Sequence, residues 1–361
     1  MAVSAKKTTD ETPPAYGGQA VMEGVMMRGK MSYAMAVRRS DGGISVVEKP
    51  LAGKSQTNPI LKWPLIRGVY ALVSSMSLGF ASLSQSADIA FEGLEEEEEP
   101  SRFEKWLFDK FGDKLYDFLK WTAMAFAILF GVGLFFLLPS FIGDVTDRFT
   151  PVPSAFIGII EGFVRIFIFV GYIVIVSRMK DIQRVFQYHG AEHKAISCHE
   201  EGLPLTTANV AARPRLHKRC GTSFMLVVMV ISMILFTALR TVFPDWNMWL
   251  GFASRILLLP LVAGISYEIS VKWAGSRDNF LVRAIIFPGM LIQRMTTAEP
   301  DDLQIEVAVA ALKRAILSDK SAARRKPRTR ARLSRRCRVR RFEPRTSMAR
   351  RIARRRRGQA A

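Results

Sequence analysis

The four histidines of this 361-residue chain all fall within one stretch, at His189, His193, His199 and His217, with Cys198 and Cys220 among them. Imidazoles and thiolates gathered on one segment are the donor set that a transition metal takes, zinc above all. In Tyr188-His189-Gly190-Ala191-Glu192-His193-Lys194 two imidazoles stand four residues apart, with a carboxylate beside the second. On a helix this spacing puts both rings on one face, and Glu192 lies three residues from His189 on the same side. His217 and Cys220 follow, just before Gly221, and offer the remaining donors. The expected site is a divalent metal, zinc by its donors, on His189, His193 and one or both of His217 and Cys220. If both bind, the site is closed at four and structural. If one stays back, a water fits and Glu192 becomes its general base. Cys198 reads as packing, and Lys194 as a solvated flank.

The same five residues match the H-x-x-E-H pattern of inverted zinc peptidases, and Glu268, 75 residues after His193, stands at a separation resembling their third ligand. Those enzymes are soluble α/β proteins, and the elements around this motif are of another kind. From Trp121 to Ile142 there is no charged residue, which is enough helix to cross ~30 Å of hydrocarbon. Further spans are read at 155–176, with Glu161 and Arg165 inside it, at 222–239, and at 246–267, with Arg255 and Pro260. Charges at such depth face a bundle interior and a partner. A salt bridge between the second and fourth spans is the simplest account, and a polar pathway for an ion or lipid headgroup the other. The expected fold is an α-helical integral membrane protein of about four transmembrane helices with a small cytoplasmic α+β portion.

Eight Lys or Arg lie between Ser177 and Gly221, whereas the turns at 144–153 and 244–245 hold Arg148 alone. The basic excess places the histidine loop, 177–221, in the cytoplasm, and four spans then put both termini there. The first twenty residues carry no apolar core of signal-peptide length. Three cysteines in the whole chain make no disulfide framework, and reduced thiols suit ligation.

The formal net charge is +20, but residues 321–361 hold eighteen basic residues against Glu343, so the rest of the chain is close to neutral. This distribution speaks against a specific nucleic-acid role. An arginine tail without apolar periodicity suits anionic lipid or phosphate, beside the lipid bilayer that receives the spans. The remaining organisation reads as a leader at 1–15, a β-hairpin unit at 16–60, an amphipathic interfacial helix within 61–94, and an acidic linker at 95–101. A membrane domain follows at 102–267, then an interfacial segment and helix at 268–317, and the tail at 318–361. The glycines of Gly17-Gly18-Gln19-Ala20-Val21-Met22-Glu23-Gly24 read as tight turns, because they fit no phosphate-binding spacing.

Four separated motifs, Gly17 to Arg28, Tyr188 to Lys194, His217 to Phe224 and Thr296 to Ala310, together resemble the YqhQ-like family of bacterial membrane proteins. The likeness covers residues 15–317 and leaves the arginine tail outside. It implies a bacterial cytoplasmic-membrane protein and a metal-dependent enzyme, with no reaction attached. Where the family commonly has a tyrosine this chain has His199, which makes that residue a poor ligand candidate. Lys218 stands at a usual proline and leaves the spacing of His217 and Cys220 intact. The functional expectation is thus a metal-dependent hydrolase at the membrane surface. A noncatalytic scaffold or regulator with a structural metal, and a transporter-like protein, are the alternatives.

Orientation is open to a direct test. A cysteine placed at Thr146 should be labelled from outside intact cells and one placed at Leu205 should not, because the basic loop stays inside. Labelling of Leu205→Cys alone would invert the arrangement.

Overall fold

The structure, a computed structural model, describes residues 16–51, 58–92, 113–218, 220–274 and 279–324. The leader, the acidic linker and the arginine tail beyond 324 lie outside the described residues. Residues up to Asp319 form one compact unit.

Four strands open the described chain: β1 (Gly17–Val21), β2 (Gly24–Arg28), β3 (Ser32–Arg38) and β4 (Ile44–Pro50). They pair antiparallel in sequence order. A single hairpin was expected, and the glycines of the opening motif prove to be strand residues rather than turns. Close approach explains one of them: a Cβ on Gly24 would lie 2.3 Å from the Ala36 carbonyl oxygen. The β1–β2 connection is only Met22-Glu23, with Glu23 at φ 49°. A two-residue hairpin turn demands such positive φ values.

Both faces of the sheet are covered, and the period-2 alternation sorts side chains by size. Val25, Met27, Ala34 and Ala36 face one helical layer, while Met26, Tyr33, Met35 and Val37 face another. The first layer is α4 (Lys180–Glu200) and α9 (Asp302–Arg324), joined by the short α5 (Thr207–Ala211). The second is α1 (Ile66–Ala90), whose Leu78, Ile89 and Ala90 touch the larger side chains.

The bundle consists of α2 (Asp113–Val132 and Leu138–Phe149), α3 (Ser154–Val176), α6 (Gly221–Val242) and α7 (Met248–Tyr267). Helix α2 runs over Asp113–Val132, passes through a π-helical turn at Gly133–Leu137 and continues over Leu138–Phe149. A second π-turn, Glu268–Trp273, extends α7, and α8 (Phe280–Thr296) packs against α6. The molecule is a mostly helical, membrane-type protein with a small sheet. Among the described residues five helices, not four, are long and apolar enough to cross a membrane: Ile66–Ala90, Trp121–Phe149, Ser154–Val176, Gly221–Val242 and Trp249–Trp273. The added one is α1, whose uncharged length meets the requirement even though the sequence reads as interfacial there.

The charges inside the bundle meet one another. Glu161 on α3 lies 2.5 Å from Arg255 of α7, the pair expected, and 2.8 Å from Arg240 of α6, which was not. Arg240 also reaches Asp144 at 3.2 Å and Asp147 at 3.0 Å on α2. Arg255 donates to the Ser140 hydroxyl, and Arg165 donates its Nε–H to the Phe135 carbonyl at 2.9 Å, within the π-turn. A π-turn leaves a carbonyl outside the ordinary helical ladder, and here an arginine takes it. Glu161 is 2 % exposed, and Gly143 makes room for it, since a Cβ there would fall 2.5 Å from its carboxylate.

Removing one partner of such a buried network leaves the others uncompensated. Glu161→Ala should therefore cost about 3–5 kcal/mol of stability, read as a shifted unfolding midpoint in a detergent titration. An unshifted midpoint would show that the network does not hold the bundle together.

Candidate metal centre

Helix α4 carries the motif, and its small residues decide what reaches it. Gly190, Ala191 and Ala195 are fully buried or nearly so. A Cβ on Gly190 would lie 2.1 Å from the Ala298 carbonyl, so only glycine lets the loop after α8 seat on the helix. The Ala298 N–H donates to the Phe186 carbonyl at 2.9 Å and fixes that seat. Lys194 is buried too, at 4 % exposure, donating to the Ala211 carbonyl at 2.9 Å and pairing with Glu299. It is an internal staple and not the solvated flank expected, because its position on α4 faces the loop and not water.

Two backbone carbonyls, one at the end of α8 and one in the connection from α5 to α6, set the imidazoles. His189 Nδ1 lies 2.9 Å from the Thr296 carbonyl oxygen, and His193 Nδ1 lies 2.6 Å from that of Arg215. A carbonyl can only accept, so each Nδ1 carries the proton and each neutral ring keeps its Nε2 lone pair for a ligand. Metal-binding histidines are held in this way, by a carbonyl or carboxylate on the far ring nitrogen. Cys220, the N-cap of α6, brings its Sγ to 3.3 Å from His189 Nε2. The ligand atoms of His189, His193 and Cys220 lie within 4.8 Å of one another, the span a single ion can bridge. The two imidazole rings meet edge to face with centroids 4.5 Å apart.

His217 stands beside this trio without joining it. Its ring centroid is 5.7 Å from that of His193, but its Nε2 points to Glu200 Oε2 at 3.3 Å. Gln293 clamps its backbone, accepting from the His217 N–H and donating to its carbonyl, each at 2.9 Å. His199 lies elsewhere, edge-on to Tyr16 at 5.2 Å. Cys198 is buried, with Sγ 3.6 Å from the Pro204 carbonyl oxygen, and packs as expected. Glu268, weighed as a distant ligand, instead pairs with Arg67 at the start of α1. Its spacing matched the inverted peptidases, but the surrounding fold carries it to another place.

Glu192 is 4 % exposed and lies against β1. A Cβ on Gly18 would come within 2.8 Å of its carboxyl atoms, and the Gly18 N–H donates to it. Burial raises the Glu192 carboxyl above its usual range, against the pull of His189, His217 and that N–H. Burial likewise pushes His193 and His217 down toward the neutral form, the one able to ligate. Gly18, the Thr296 and Arg215 carbonyls, Glu200 and Gln293 all escaped the sequence reading. Of these, Gly18 and Thr296 lay in motifs already singled out, and the proximity of Gly18 to Glu192 depends on a strand that was read as a turn.

Residues 63–318 match the family described as "Protein of unknown function (DUF1385)". The chain belongs to this family. It is also 36 % identical over 300 residues to "Uncharacterized protein YqhQ" of Bacillus subtilis (strain 168), an alignment covering 83 % of this chain and 91 % of that protein. No solved structure matches it. The motif likeness read from the sequence is thereby shown at the level of the family, whose description assigns no function.

The geometry separates the histidines by position, with His189 and His193 in the cluster and His199 outside it. His193→Ala removes a converging donor and should abolish metal binding, whereas His199→Ala should retain it, as read by elemental analysis of detergent-purified protein. Equal metal content in the two variants would reject the assignment.

Proposed function

We propose that the chain is a metal-dependent hydrolase working at the cytoplasmic surface of a bacterial membrane, with His189, His193 and Cys220 as ligands and Glu192 as general base. In this reading α2, α3, α6 and α7 cross the bilayer, and both termini and the 177–221 connection are cytoplasmic. The observation that carries the proposal is the convergence of three donor atoms within 4.8 Å, with Glu192 on the same helix. A catalytic zinc takes three protein ligands and keeps one position for water, and His₂Cys is a known donor set for it. When bound, such an ion would lower the pKa of a coordinated water and polarise a carbonyl or phosphoryl oxygen. Each protein group then has a stated task. The carbonyls of Thr296 and Arg215 hold the imidazoles in one tautomer. Glu192 accepts the proton of an attacking water and returns it to the leaving group. Gly18 keeps a side chain from occupying the space that the Glu192 carboxylate fills.

A second reading is supported by His217. Its ring lies 5.7 Å from that of His193, near enough that a rotation away from Glu200 would bring a fourth donor and close the site. The protein would then be a scaffold or regulator whose metal staples α4 to the start of α6. The arginine tail, with its affinity for anionic lipid or phosphate, fits either reading.

Glu192→Gln discriminates between the two. A catalytic base contributes roughly 10²–10⁴-fold to rate, so this variant should bind metal at the wild-type level yet fail to restore the phenotype of a deletion strain. Full complementation by the metal-loaded variant would move the assignment to the scaffold.

A further inference from the structure

Helix α1 has two faces, and the protein covers one. Ser75, Gly79, Gln85 and Ser86 meet the sheet. Arg28 donates to the Ser75 hydroxyl at 3.1 Å, and Gln19 to the Gly79 carbonyl at 3.3 Å. Lys49 donates to the Gln85 side chain at 2.9 Å, and the Met22 N–H to the Ser86 hydroxyl at 3.0 Å. These contacts run from Ser75 to Ala90, most of the length of the helix. Its first turn is fastened to α7: a Cβ on Gly68 would lie 2.7 Å from Tyr267, Gly264 packs on Leu65, and Arg67 pairs with Glu268. On the opposite face Val73, Met76, Phe80 and Leu83 are 42–65 % exposed. Their spacings of three, four and three residues draw one apolar stripe. Trp63, 61 % exposed, and the exposed Lys62 stand just before it. That pairing belongs at the water–lipid boundary.

Length and composition alone would let α1 span the bilayer, but its partner forbids that. A spanning α1 would carry the sheet into hydrocarbon along the same depth. Among the described residues the sheet is open, with β1 and β4 at its edges, and it brings Arg28 and Lys49 with it. Open sheet edges are not tolerated in lipid, where unpaired backbone groups each cost several kcal/mol. We infer that α1 lies in the plane of the membrane surface, with Val73, Met76, Phe80 and Leu83 in the headgroup–acyl boundary and the sheet on its water side. The occupant of the exposed stripe is the bilayer, because the stripe continues from the end of a membrane helix, α7, to which the first turn is fastened. A helix with one strongly apolar face and few charges on it binds the interface in this way. The helix also sits close to the candidate base: Gln19, which bonds Gly79, neighbours Gly18, which seats Glu192. This inference stands whether or not a metal binds.

The test places a genetically encoded fluorescent amino acid at Val73, Met76, Phe80 or Leu83, one per variant, in the full chain reconstituted into phosphatidylcholine–phosphatidylglycerol vesicles. Lipids bearing a nitroxide at the headgroup, near the top of the chain or near its end then report depth by quenching. All four positions are exposed, so the replacements leave the packed face untouched. An in-plane helix gives one common depth, with the shallow quenchers strongest at every position. A spanning helix spreads the four over about 15 Å at 1.5 Å per residue, so the strongest quencher changes along the series, and that result would overturn the inference. Quenching by aqueous iodide without quenching by any nitroxide lipid would overturn it as well, because the stripe would then face water.

Discussion

A carboxylate taken out of water must find donors, and the Glu192 side chain finds one on a strand far earlier in the chain, the N–H of Gly18. The arrangement constrains much else. A Cβ at residue 18 would press on the carboxyl at 2.8 Å and force it to shift. Strand β1 must be paired to stay in place, which ties the site to the whole sheet. Helix α4 must hold Glu192 against that strand while its neighbouring turns present His189 and His193 to the start of α6. The candidate metal centre is therefore assembled from the sheet, α4, the end of α8 and the start of α6, and no single element contains it.

How much of this the sequence discloses depends on whether an interaction is local. The two imidazoles at four-residue spacing and the carboxylate beside them are a property of one helix, so the motif around His189 and His193 could be read directly. The apolar runs were legible for the same reason, since bilayer thickness imposes length on each span independently. Partners contributed by the fold were not. Arg240 sits near the end of its span, where a basic residue is ordinary, and only the packing of α6 on α3 brings it to Glu161. Lys194 has the composition of a surface residue, and its burial follows from the seating of residues 296–300, a hundred positions later. His217 and Cys220 were indistinguishable as candidates by spacing, and the clamp of Gln293 on the His217 backbone helps to separate them.

Helix α1 shows the limit of a composition rule. The same uncharged stretch satisfies a spanning helix and an interfacial one, because both need an apolar surface and differ only in what covers the other side. Serines and glycines at 75, 79, 82 and 86 are the distinguishing residues. They are small enough for a helix to lie flat on a sheet, and Ser82 and Ser86 are almost wholly buried. In the membrane bundle the corresponding device is different. There Gly158 and Gly162 let α3 approach α6, where added Cβ atoms would meet Thr237 and Met233 at 2.7 and 2.1 Å.

The two-sided burial of the sheet also fixes an order of events during synthesis. Strands β1 to β4 leave the ribosome long before Ile305, Ala308 and Leu312, which close the face formed by Val25, Met27, Ala34 and Ala36. At bacterial elongation rates of roughly 5–20 residues per second, the interval is on the order of 10–60 s. For that time an apolar sheet face stands uncovered while the apolar helices between are being made. Native closure cannot precede the arrival of α9, so the nascent chain needs either a chaperone on its N-terminal strands or an early resting place for them on the lipid surface.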